Sequence, residues 1–243
     1  MKMKTDLRKA IYSFNGYNRD VWVARMAQTV PSGSDVLDAG AGTGIYRHLF
    51  SHCNYKSQDF CKVPSTEGKY IEMDYVCDIT DIPVPDESFD VIICTEVLEH
   101  VPEPIKAVQE FSRIMRPCGQ LFITAPLGCG LHQDPYIFYG GYTPYWYEKF
   151  LPTYGFKNLK ITPNRNFFGM YSQESRRFIK LLFPHKRGTL AKVLTFPLKL
   201  LLSLWFRKII PVSCYLLDKY DFDKDKKFTV EYFVEASKKK GTG

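Results

Sequence analysis

The chain has 243 residues, 45% hydrophobic and 24% charged, which gives room for a large core and excludes a disordered or fibrous chain. Its seven cysteines form no C-x-x-C pair, so neither a zinc ribbon nor a disulfide framework is expected, and the compartment should be reducing. The net charge of +7 is uneven: residues 1–164 carry 16 Lys/Arg against 19 Asp/Glu, and residues 165–243 carry 17 against 7. The front reads as an ordinary enzyme core, and the back as a basic surface suited to anionic lipid, phosphorylated substrates or nucleic acid. No apolar run follows Lys2, Lys4, Arg8 and Lys9, so no secretory leader is expected and the location reads as cytoplasmic.

Thr5 to Thr29 predicts one or two helices, and Pro31-Ser32-Gly33-Ser34 breaks the chain. Asp35–Ala39 predicts a first strand, 45–52 a helix, Tyr55–Asp59 a second strand and Tyr75–Ile79 a third. Phe89–Val97 is nearly all apolar or β-branched at its centre, as in a strand buried on both faces. From Glu103 the spacing of Ile105, Val108, Phe111 and Met115 predicts a helix stopped by Pro117 and Gly119, and Gln120–Pro126 a fifth strand. Strands alternating with helices mean a parallel sheet with helices on its faces, and ligands at the strand C-terminal ends.

Those ends carry the chemistry. "VLDAGAGTG" (Val36–Gly44) places three glycines in the turn that leaves the first strand, so a ligand can approach bare backbone. A dinucleotide fingerprint, G-x-G-x-x-G, fails in both registers, because Ile45 or Arg47 stands where the third glycine belongs. A phosphate loop fails too, since no G-K-[ST] closes the turn. Asp38 beside the turn favours a cationic group such as an ammonium.

Together with Asp59, "CDI" at Cys77–Ile79 and "FDVIICTEVLEHV…EFSRIMRPCGQLFITAP", this stretch resembles the class I S-adenosylmethionine-dependent methyltransferases, in order from Val36 to Pro126. The resemblance implies that Gly40, Gly42 and Gly44 admit the methionine part of S-adenosylmethionine, with Asp38 near its ammonium. Asp59, nineteen residues after Gly40, would accept from both ribose hydroxyls. Asp78 would meet the adenine amino group with Ile79 against the ring, although Asp74 and Asp81 lie close in register. Thr95 and Glu96 would face the sulfonium and its methyl.

Methyl transfer needs positioning above all, since the thioether leaves without protonation. A base matters most for a hydroxyl acceptor. If Glu96, Glu99 and His100 open a helix they share one face and, with His132, offer a set for Mg2+ or Mn2+. That E-x-x-E-H spacing is similar to metal-assisted O-methyltransferases of ubiquinone precursors and of small-RNA 2′-hydroxyls. Without a metal, V-L-E-H lines the pocket, Glu96 and His100 stay beside the reacting atoms, and His132 is a candidate base. Tyr136, Tyr139 and Tyr142 flank Gly140-Gly141 and read as a substrate wall for a sugar or planar ring. Thr143-Pro144 predicts a helix start with Tyr147 and Phe150 in the core.

The expected fold is α/β: a three-layer Rossmann-like methyltransferase sheet, mostly parallel with the last strand antiparallel. Its core is 1–164 and 228–243, with 1–34 an N-terminal helical segment. Between the last two strands, 165–227 forms a basic, apolar helical insertion. Charge-free runs there reach only Leu200–Phe206 and Ile209–Leu217, too short to span a membrane. Two readings stand: a lid, or peripheral docking through 190–217 at the inner face of a membrane that presents a lipid-linked substrate. No recognised RNA module is visible, and neither DNA nor RNA is an expected partner. The expected activity is methyl transfer to a hydroxyl on a small molecule, a glycan or a glycolipid intermediate. The alternatives are a metal-assisted reaction on a quinone-type lipid or RNA, and a non-catalytic cofactor-binding partner protein.

Overall fold

A computed structural model describes residues 6–62, 69–182, 189–220 and 227–240, without the side chains of 189–195. Thr5, where the first helix was expected to begin, and parts of the 165–227 insertion lie outside the described residues. The described residues fall into two compact units, one within Arg19–Thr162 and Glu231–Gly243, the other within Met1–Asn18 and Pro163–Val230.

The larger unit is built on a seven-stranded sheet. Its strands are β1 (Asp35–Ala39), β2 (Asn54–Asp59), β3 (Tyr75–Val76), β4 (Phe89–Thr95), β5 (Met115–Pro126), β6 (Phe156–Pro163) and β7 (Glu231–Lys238). They lie in the order β3-β2-β1-β4-β5-β7-β6. The pairs among β1 to β5 are parallel, and β7 runs antiparallel to β5. Successive side chains point to opposite faces, and each central strand divides accordingly. Leu37, Ile92, Leu121 and Ile123 face a layer containing Val108 and Phe111 of α3 (Pro104–Ile114) and Tyr147 and Leu151 of α4 (Pro144–Thr153). Val36, Val91, Ile93 and Phe122 face the other way, toward Trp22, Val23 and Ala27 of α2 (Phe14–Thr29) and toward Phe50. Trp22 stacks on Phe233 of β7 at 5.2 Å. The result is the expected three-layer α/β sheet, with both faces covered by helices.

Three elements depart from expectation. The helix expected over 45–52 is a single tight helical turn, Arg47–Phe50. Only residues 45–53 separate the glycine turn from β2, which leaves no length for a full crossover helix. The helix α3 ends at Ile114, because Pro117 disfavours helical backbone at Arg116 and Met115 instead pairs with Phe89, starting β5 five residues early. The third strand is only Tyr75–Val76. All seven cysteines are free thiols, and only Cys94 and Cys214 are buried.

The smaller unit contains α1 (Leu7–Tyr12), α5 (Phe167–Leu182), α6 (Thr189–Leu204) and α7 (Ile210–Lys219). A π-type turn, Trp205–Ile209, joins α6 to α7 without a break. Pro211 follows this turn without breaking the helix, which continues to Lys219. Within this continuous helix, the 24-residue stretch Phe196–Lys219 is long and apolar enough to cross a membrane by length and composition. Arg165 anchors this unit: its guanidinium donates to the Ala10 carbonyl at 2.7 Å, pairs with Asp218 at 3.3 Å and lies over the rings of Phe14 and Tyr215.

Candidate active site

At the C-terminal ends of β1, β2 and β4 the larger unit encloses a cavity of about 430 Å³, within the range of small-molecule sites. Gly40, Gly42 and Gly44 all have positive φ, which a side chain would strain. At Gly40 there is no room either: a Cβ would lie 2.3 Å from Cγ2 of Val97. The turn is held from below by β2. The Gly40 and Ala41 amides donate to the Gln58 carbonyl at 2.8 and 2.9 Å, and the Gly42 amide donates to Asp59 Oδ2 at 3.0 Å.

Three carboxylates surround this turn. Asp38 is buried and accepts from the Tyr55 hydroxyl at 2.6 Å. Burial pushes its pKa up to about 7, helped by Asp59 and opposed by the Tyr55 hydrogen bond. Asp59 also accepts from the Cys61 amide at 2.8 Å, and its carboxyl too is raised by burial, against hydrogen bonds from the Cys61 and Gly42 amides. Asp78 accepts from the Thr80 amide and hydroxyl at 2.9 and 2.8 Å. Asp74 takes no place in the cavity wall: it is committed to Lys56, and to the Ser57 amide and hydroxyl. Asp38, Gly40, Gly42, Asp59, Asp78, Ile79 and Thr95 all line the cavity. Gly44 does not; it packs under Ile71, whose Cδ1 would stand 2.6 Å from an added Cβ.

Glu96, at positive φ, departs from the expected shared helical face. Leu98–His100 is only a short 3₁₀ turn, and Glu96 instead pairs with Arg19 of α2 at 2.7 Å and accepts from the Thr124 hydroxyl at 2.9 Å. Arg19 also pairs with Glu231 at 3.0 Å, whose side chain is fully buried. Burial opposes the charges on Arg19 and Glu96, yet their mutual attraction wins: the guanidinium is held well above its usual range and Glu96 below the usual carboxylate range. Glu96 remains in the cavity wall.

Glu99, His100 and His132 do converge, with one ligand atom from each lying within 4.8 Å of the others. Glu99 is buried, its Oε2 has no hydrogen-bond partner, and burial together with Glu96 raises its carboxyl to about 8. The His100 ring meets the Tyr136 carbonyl through Nδ1, and the His132 ring meets the Gly130 carbonyl through Nδ1 at 2.9 Å. With Nδ1 donating, each ring presents its Nε2 lone pair. The two rings meet edge to face at 4.9 Å. His132 itself is not in the cavity wall, whereas His100 is.

The aromatic wall differs from the one expected. Tyr136 lines the cavity with Phe60 and Phe138, and its ring meets that of Phe60 at 5.3 Å. Tyr142 is a core residue, 3% exposed, whose hydroxyl donates to the Leu98 carbonyl at 2.7 Å. Tyr139 stands outside the cavity with its hydroxyl on the Pro102 carbonyl at 3.0 Å. Both fix the 98–102 turn rather than a substrate. Sequence reasoning passed over Arg19, Tyr46, Gln58 and Val97. Of these only Gln58 had a local signal: as the neighbour of Asp59 at a strand tip, its side chain reaches across to the next strand, here to the Cys77 carbonyl at 2.7 Å.

Residues 37–123 match the family described as Methyltransferase domain. Over 106 residues the chain is 34% identical to the probable tRNA methyltransferase 9B of Mus musculus, covering 42% of this chain and 24% of that protein. Over 127 residues it is 28% identical to the ubiquinone biosynthesis O-methyltransferase of Xanthomonas oryzae pv. oryzae, covering 48% and 52%. The chain thus matches about half or less of the length of these curated relatives. Among solved structures, a Haemonchus contortus phosphoethanolamine N-methyltransferase 2 in complex with S-adenosyl-L-methionine superposes with a TM-score of 0.54 at 18% identity, covering 92% of this chain and 53% of that one. That likeness is one of fold. Residues 37–123 thus match a methyltransferase domain, set in a sheet of the same fold as this solved methyltransferase.

Proposed function

We propose that the protein binds S-adenosylmethionine in this cavity and transfers its methyl group to a hydroxyl. The observation that carries the reading is the convergence of Asp38, Asp59 and Asp78, from three successive strand tips, on one cavity beside the glycine turn. Their chemistry fits the cofactor: a buried carboxylate for an ammonium, a second for vicinal hydroxyls, and a third beside apolar Ile79 for an amino-bearing ring. When bound, the cofactor supplies a methyl activated by a sulfonium.

The chain's own residues would do the rest. Asp59 orients the ribose, while Gly40 and Val97 set how closely backbone approaches. Thr95 and Glu96 close the strand tip, and Arg19 keeps Glu96 from turning freely. His100, with Nδ1 tied to the Tyr136 carbonyl, offers Nε2 to take the acceptor's proton. Phe60, Tyr136 and Phe138 give the acceptor an aromatic wall, which supports a ring-bearing small molecule, a sugar or a lipid-linked intermediate.

Calorimetric titration with S-adenosylmethionine tests the binding, and mass spectrometry of acceptor pools tests for the gain of one methyl. A nicotinamide dinucleotide binding where S-adenosylmethionine does not would overturn the reading.

Metal-assisted transfer is a second reading, favoured by the Glu99, His100 and His132 cluster. The residues fit a cation: an orphaned buried carboxylate oxygen and two Nε2 lone pairs form a mixed oxygen and nitrogen set, better suited to Mn2+ than to Mg2+. Glu96, engaged by Arg19, is not a fourth ligand. A cation there would grip the acceptor's oxygen and lower its pKa. This reading predicts that a chelator abolishes turnover and that Mn2+ restores it, and that His132→Ala weakens Mn2+ binding without altering cofactor affinity. Full turnover in chelator would dismiss the cation and leave His100 as the base.

A further inference from the structure

We infer that the helix Phe196–Lys219 is a docking surface for an anionic lipid bilayer, lying in the plane of the interface rather than crossing it. Phe196, Leu198, Leu200, Leu201, Leu204 and Trp205 are each more than half exposed, and they are crowded into ten residues of one helix. On α5, Leu181 is 74% and Phe178 45% exposed. A soluble surface rarely carries so continuous an apolar patch without an occupant.

Charge names the occupant. Residues 165–217 contain ten Lys/Arg and one acid, Glu174, and the helix Phe196–Lys219 itself carries Lys199, Arg207, Lys208 and Lys219 against Asp218, which pairs with Arg165. A second copy of this chain would bring the same cations face to face. A nucleic acid would satisfy the cations but offer its phosphates to leucines. An anionic bilayer meets both demands, with headgroups for Lys/Arg and acyl chains for the apolar side chains.

The orientation rests on two observations. Every stretch of about 20 residues within the continuous helix from Thr189 to Lys219 contains both Arg207 and Lys208, so a spanning helix would carry two cations into the bilayer, where they are costly. One flank of the helix is also occupied by protein. Pro211 and Cys214 are buried, the Ser175 hydroxyl donates to the Phe206 carbonyl at 3.1 Å, and the Phe178 and Phe206 rings meet at 4.9 Å. A helix packed along one side and apolar along the other suits an interface. At an interface long Lys and Arg side chains reach toward the headgroups, here Lys199 and Arg207, while Lys208 lies over the Tyr12 ring.

The test uses the full chain and vesicles, and since no cofactor enters it, it stands apart from the methyl-transfer reading. Sedimentation with phosphatidylcholine vesicles, with and without phosphatidylglycerol, should show at least tenfold tighter binding to the anionic ones, falling with added salt. Leu201→Ser with Trp205→Ser should lose at least tenfold in affinity while keeping the parent's unfolding midpoint. In the unmutated protein, quenching by brominated lipids, corrected with Trp205→Phe, should be strongest for shallow bromines. Four results would overturn the inference: equal binding to neutral vesicles, strongest quenching by deep bromines, retention on homopolymeric RNA with no retention on vesicles, or self-association lost in the double variant without vesicle binding.

Discussion

With the cofactor's ammonium against Asp38, as proposed, binding should depend on pH in a direction set by that carboxyl's burial. In the ligand-free protein its carboxyl sits at about 7 because it is buried, with Asp59 nearby. An ammonium placed against it stabilises the carboxylate, so the bound state has a lower pKa and binding releases a proton. With a free-state pKa of about 7 and a bound-state value near the ordinary one, affinity should rise about eightfold between pH 6 and pH 7.5. The ligand-free fold has the opposite slope. Between the ordinary value of 3.8 and about 7 the folded state keeps a proton that the unfolded chain has released, so its stability declines as pH rises through that window. Calorimetry in buffers of different ionisation heat reads both the affinity and the proton released. Asp38→Asn, which keeps the Tyr55 hydroxyl within reach of an oxygen, should bind weakly with no pH slope. A wild-type affinity flat across this range, or an Asn variant that retained the slope, would remove Asp38 from the ammonium site.

The other residues give sharper, single-variant outcomes. Asp59→Ala should weaken S-adenosylmethionine binding by about 1.5–3 kcal/mol for each charge-assisted ribose bond lost. It also frees the Gly42 and Cys61 amides, so the 40–44 turn should exchange amide hydrogens faster. Gly40→Ala combines a strained φ with a 2.3 Å approach to Val97; thermal unfolding should show a loss of about 2 kcal/mol, partly recovered in the double variant with Val97→Ala. Arg19→Met removes the guanidinium that the fully buried Glu231 shares with Glu96 and should cost about 3–5 kcal/mol, and a midpoint within a degree of wild type would show that the network carries no stability.

Which residues could be placed from sequence depended on how local their geometry is. Asp38, Gly40, Asp59 and Asp78 were legible because a strand tip and its turn are set by the residues within a few positions, and the nearly continuous burial of β1 and β4 marks where those strands end. The extent of α3 was misjudged for a related reason: helical periodicity continues through Met115, but pairing of Met115 with Phe89 across the sheet outweighs it. Tyr142 was lost to the same kind of long-range effect. An aromatic next to a Gly-Gly pair reads equally well as wall or core, and its hydroxyl's bond to Leu98, 44 positions away, makes it core.

Arg19 is the limiting case. It lies on α2, outside the matched domain, in a stretch of mixed polarity with nothing to distinguish it from Arg25. Its partners are 77 and 212 residues further along the chain, and only the assembled sheet brings β7 and the tip of β4 within reach of one guanidinium. The same network explains why the E-x-x-E-H spacing misled. Spacing assumes a continuous helix, whereas Glu96 is held at positive φ by Arg19 and the Thr124 hydroxyl. The two carboxylates of the motif are thereby separated by environment: Glu96 is ionised against a guanidinium, and Glu99 is buried, pushed up to about 8 and directed to the histidines. Two chemically identical side chains three positions apart thus sit in different settings, Glu96 pinned by Arg19 in the cavity wall and Glu99 buried beside His100 and His132.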